Sequence, residues 1–150
     1  MHRLFAGNPV LCLSILSWAV AQLIKFVVVL VLEHRLDWAK ILSSGGMPSS
    51  HSSTVCALAA SLAYYEGFGS RLFAIAAVLA VVVMYDATNI RRAAGEQAKI
   101  LNYMMENWEY MKPDLFSRKL KELLGHTPLQ VLMGALLGIA IGWGGAWLIG

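Results

Sequence analysis

The run PVLCLSILSWAVAQLIKFVVVLVL, residues 9–32, holds a single charge, Lys25, among aliphatic and small side chains. As a helix at about 1.5 Å per residue it reaches roughly 36 Å, enough to cross a bilayer with some tilt. Its first half, with Arg3 ahead and Ala19-Val20-Ala21 behind, imitates a secretory signal with a small-residue cleavage site. The apolar run does not stop there, however. It resumes as Phe26-Val-Val-Val-Leu-Val-Leu32, so a retained transmembrane helix is expected.

Composition agrees with lipid as the solvent. Of the 150 residues, 58% are hydrophobic and 14% charged, where soluble domains carry about a quarter charged residues. The length allows one domain, residues 1–150. A formal charge of +3 is small and its basic residues are scattered, which argues against nucleic acid as a partner. Cys12 and Cys56 lie inside apolar runs, where a thiol acts as a small hydrophobe; neither a disulfide framework nor a metal site is expected.

Three further stretches read as spans: residues 48–65, 72–89 and 129–149. The apolar runs are continuous rather than alternating, which favours helices over a barrel. The expected fold class is therefore all-α integral membrane, with about four transmembrane helices. A polar loop, residues 90–128, joins the third span to the fourth. Within it, residues 93–111 and the stretch after Pro113 have apolar side chains at helical spacing, the second with Leu115, Phe116, Leu120, Leu123 and Leu124 on one face. Both read as short amphipathic helices at the membrane surface.

With four spans, the first and third connections share one side. That side holds Arg35, Lys40 and the seven basic residues of the 90–128 loop, against Arg3 and Arg71 opposite. The positive-inside rule makes the loop-rich side cytoplasmic and both termini external. If the host is a bacterium, the expected location is its inner membrane.

The polar residues that can do chemistry gather on that same side. The second span opens Gly45-Gly-Met-Pro-Ser-Ser-His51-Ser-Ser53. Pro48 suits a first helical turn and serines cap it. Such a start offers unpaired amides and the positive dipole end to a phosphate, making Ser49, Ser50 and His51 candidates. The third span ends Tyr85-Asp-Ala-Thr-Asn-Ile-Arg-Arg92. Paired arginines at a helix end commonly anchor topology, and they are also bidentate phosphate ligands. The fourth span opens Gly125-His-Thr-Pro-Leu-Gln-Val131, with Gln130 one helical turn beyond His126, where its amide can hold one imidazole nitrogen. Lys25 sits about 10 Å inside the first span's end on this face, and Gln22, one turn before it, shares its side. A lysine there normally turns to the bundle interior. Gly134, Gly138 and Gly142 make a ladder of small residues suited to close helix packing, within the bundle or in a homo-oligomer.

Taken together these motifs resemble the divergent branch of the type 2 phosphatidic acid phosphatase superfamily, whose wider fold includes vanadium-dependent haloperoxidases. Pro48-Ser-Ser-His51 resembles the Pro-Ser-x-His motif. Gly125-His-Thr-Pro-Leu-Gln-Val-Leu-Met-Gly134 resembles His-x-Pro-x-Asp-Val-x-x-Gly. Residues 85–102 match the divergent branch's Tyr-Asp-Ala…Arg-Arg-Ala-Ala-Gly-x-Gln-Ala…Leu-Asn segment. The resemblance implies a reduced phosphatase-like bundle and metal-free hydrolysis of a lipid phosphate without a cofactor. His126 would be the nucleophile, His51 the general acid and Gln130 the orienting group. Lys25, Ser49, Ser50, Arg91 and Arg92 would bind phosphate. The superfamily's orienting Asp is Gln130 here, and its Arg six residues before the nucleophile falls on Leu120, so Arg91, Arg92 or Arg118 must replace it. Its Lys-Arg-Pro motif is absent as such, leaving Lys25 or Lys40. The rival expectation is a non-enzymatic protein that binds or translocates phospholipid or an anionic solute through the same helix N-termini.

Overall fold

A computed structural model describes residues 7–33, 46–106 and 125–150. Five helices account for nearly all of them: α1 (Pro9–Glu33), α2 (Ser50–Glu66), α3 (Arg71–Thr88), α4 (Ile90–Glu106) and α5 (Pro128–Ile149). No strand occurs among the described residues. Three stretches are long and apolar enough to cross a membrane: Pro9–Val31, Arg71–Met105 and Pro128–Ile149. The chain is thus an all-helical membrane protein. The second expected span, α2, has only 17 residues, many of them serine.

Each start has a local cause. Asn8 Oδ1 accepts the amide of Leu11 at α1, Ser49 Oγ that of Ser52 at α2, and Ser70 Oγ that of Phe73 at α3. These side chains satisfy amides that have no partner inside the first turn. Thr127 and Gln130 form a reciprocal capping box at α5, with Pro128 in the first turn. Gly67, at φ 83°, ends α2 where a side chain would be strained. Asn89 interrupts the hydrogen-bonded run only briefly: its amide reaches Tyr85 O, and Ala93 N reaches its own carbonyl. The amphipathic helix expected over residues 93–111 is accordingly present as α4, beginning three residues earlier at Ile90 and nearly continuous with α3. The amphipathic segment expected after Pro113 lies outside the described residues.

α2 packs against α1, α3 and α5. Its contact with α5 is the closest. A methyl group on Gly134, Gly138 or Gly142 would collide with the carbonyl oxygens of Ser49, Ser53 and Ala57 respectively. The glycine ladder is therefore spent inside the chain, and a homo-oligomer through that face would have to displace α2. Against α1, the Ser17 and Ser53 hydroxyls lie 2.6 Å apart, and each also lies within hydrogen-bond distance of the other residue's carbonyl, so the two protons have three acceptor positions to share. Leu13, Ser17, Ala21 and Lys25, four residues apart, form the buried line of α1. Large apolar side chains point outward instead, as lipid requires: Ile75 is 66% exposed and Val78 63%.

Candidate functional site: a histidine pair at the helix N-termini

Three helix ends meet where α2 and α5 begin. Two main-chain hydrogen bonds hold them: Ser49 N donates to Gln130 O at 3.0 Å, and His126 N donates to Ala87 O at 3.0 Å. The first joins the start of α2 to α5, and the second joins the residues before α5 to the end of α3. They bring His51 and His126 together, with ring centroids 5.8 Å apart and planes inclined by 65°. His126 is 1% exposed and His51 half-buried.

Gln130 fixes the tautomer of His126. Its Oε1 lies 3.3 Å from Nδ1 and also accepts the Thr127 amide at 3.0 Å. A carboxamide oxygen only accepts, so Nδ1 carries the proton, and in the neutral ring the lone pair falls on Nε2. Nε2 is buried. One atom thus serves both the helix cap and the ring, as the spacing of His126 and Gln130 leads one to expect.

Lys25 arrives from α1. It is 1% exposed, and its alkyl stem crosses Gly46, where an added Cβ would lie 3.2 Å from Cγ and Cδ. Gly46 has φ 97° and leads through a cis Met47–Pro48 peptide into α2. The lysine is therefore seated against the segment that opens α2. Gly46 as the seat of Lys25, and Ala87 as the tie of His126, escape the sequence reading. A glycine before a helix and a backbone carbonyl carry no side-chain signal.

Ser49 is committed to structure. Its amide goes to Gln130, and its hydroxyl takes the Ser52 amide and the Ser52 hydroxyl. Ser50 is buried in the first turn of α2, where main-chain amides have no partner inside the helix. Arg91 and Arg92 fall in the first turn of α4, just beyond Ala87, but their side chains, like Arg35, Lys40 and Arg118, lie outside the described residues.

The structure defines a helical membrane bundle in which two histidines meet at the starts of α2 and α5 and a buried lysine lies on α1. The particular family follows from comparison: residues 6–141 match the Divergent PAP2 family, and the chain belongs to it. It is also 40% identical over 149 residues to the uncharacterized membrane protein YuiD of Bacillus subtilis (strain 168), covering 93% of this chain and 94% of that one. No solved structure matches.

Proposed function

We propose that this protein is a membrane phosphatase that hydrolyses a lipid-linked phosphate or pyrophosphate through a phosphohistidine intermediate. The observation that carries the reading is the His51–His126 pair, 5.8 Å between centroids, with Gln130 holding Nδ1 of His126. In this scheme Nε2 of His126 attacks phosphorus, the P–O bond to the lipid breaks, and His51 gives its proton to the departing oxygen. Water then attacks the phosphohistidine. The P–N bond breaks, orthophosphate leaves, and His51 recovers a proton from the water. Lys25, Arg91, Arg92 and the amide of Ser50 offset the negative charge that builds on the phosphoryl oxygens.

Gln130 also supports a second reading. A neutral amide stabilises a phosphorylated, cationic imidazole less than a carboxylate does. That favours a protein that binds or translocates a phospholipid or other anion without cleaving it. Orthophosphate release by the purified protein, across a panel of lipid phosphates, decides between the two. Release that depends on His126 supports hydrolysis, and tight binding without release supports the alternative.

The basic asymmetry of the sequence supports a site facing the cytoplasm. Single cysteines placed at Ser44 and Lys112 are expected to react with a membrane-impermeant thiol reagent only after the cells are opened. Labelling on intact cells would reverse the orientation.

A further inference from the structure

On α1, Gln22 lies three residues before Lys25, about 60° around the helix from it. Its side-chain oxygen is buried and receives no hydrogen bond among the described residues. Two contacts fix its height in the bundle. Ser17 pairs with Ser53 of α2, and Lys25 lies on Gly46. Gln22 falls between these levels, near the height at which α2 begins, and Ser49, which caps α2, is bonded to Gln130 of α5. Gln22 is thus within about one helical turn, in height, of the histidine pair's anchor.

A buried carbonyl oxygen is costly unless a donor reaches it. Lysine, arginine and helix amides all donate to phosphate oxygens, so none of them tells one phosphate from another. An acceptor does. It favours a phosphate that carries an O–H and disfavours one that presents only oxygen lone pairs, because its own oxygen then stays unmatched.

We propose that Gln22 is the specificity-determining residue of this site: its carboxamide oxygen accepts a hydrogen bond from an O–H of the bound lipid phosphate. The donor is either the P–OH of a phosphomonoester or a hydroxyl on the group esterified to the phosphate. The inference rests on the site binding lipid phosphate, but not on the site cleaving it.

The test measures binding to the full chain in nanodiscs near pH 6, where a phosphomonoester keeps its P–OH about half the time. The probes are phosphatidic acid, phosphatidylglycerol and phosphatidylmethanol with identical acyl chains. The first carries the donor on phosphorus, the second on the headgroup, and the third carries none. Wild type is expected to bind one or both donors about tenfold more tightly than phosphatidylmethanol, the size of one hydrogen bond. Gln22→Met should erase that preference, and Lys25→Met should weaken all three lipids alike. Whichever lipid loses its advantage in Gln22→Met identifies the source of the O–H. Gln22→Met should also melt no lower than wild type, since methionine fills the space and removes an unmatched oxygen. A lower melting temperature would show that the oxygen is bonded within the chain, and would overturn the proposal. So would an undiminished preference in the variant, or no preference in wild type. If wild type binds none of the three lipids, the lipid-phosphate reading itself fails.

Discussion

The α2–α5 pair and α3 solve the problem of living in lipid in opposite ways. Where α2 meets α5, glycines face carbonyl oxygens and, Val131 apart, the buried side chains are Ser, Ala and Cys. With little apolar surface to hide from water, close approach and polar contacts are what hold helices together in a membrane. On α3 only Ala76, Ala80 and Ala87 are buried, while leucine, isoleucine and valine cover the rest. The first region holds the two histidines together and has little room for change. The second presents a surface to acyl chains and has a great deal.

The largest effect expected from this contrast is functional. His126→Ala should abolish release of orthophosphate from any substrate, because no phosphohistidine can form. His51→Ala should impair an alkyl phosphate far more than an activated aryl phosphate, whose leaving group needs no proton. Turnover of both substrates by folded variants is the measurement. His126→Ala with wild-type turnover would remove the enzymatic reading.

Stability separates the two regions next. At Gly138 a methyl group would collide with Ser53 O and come within 2.9 Å of Cys56 Cβ. Gly138→Ala is expected to cost about 1–3 kcal/mol or more. Gly144, on the same helix, has nothing within 4 Å of such a methyl, so Gly144→Ala should lie within about 0.5 kcal/mol of wild type or slightly above it. Thermal unfolding in detergent compares them directly. Equal losses would mean that α5 does not pack on α2 through its glycines.

A smaller effect is expected at Ser17. Its alanine variant loses the paired hydroxyls that join α1 to α2, worth about 0.6 kcal/mol on average for such bonds in a membrane. The smallest is at Val78, exposed on α3, where Val78→Leu should change stability by less than about 0.5 kcal/mol. A larger loss there would show that α3 is covered by protein and not by lipid.

Much of this was legible in the sequence. Runs of apolar residues located α1, α3 and α5 to within a residue or two, and the serines after Pro48 and the Thr127-Pro128 pair announced the starts of α2 and α5. The spacing of His126 and Gln130 foretold their contact, because one helical turn brings such a pair together. Other features left no trace in residue type. The paired arginines expected just past the third span fall inside the first turn of α4, because main-chain bonding carries on through Asn89. Ser49 had the chemistry to bind a ligand, but its amide and hydroxyl were claimed by neighbours that only the fold brings near. The glycine ladder announced close packing without naming the helix it would meet.

The bonds from Ser49 N to Gln130 O and from His126 N to Ala87 O join main chain to main chain. Every amino acid offers the two acceptors, and every one but proline offers the two donors. The main-chain frame that brings the two histidines together therefore depends little on the side chains at Ser49 and Ala87. The surrounding polar residues, including the amide at position 130, can vary under selection while the imidazoles keep their places. A family built on such ties can drift far in its ligands without first losing its frame.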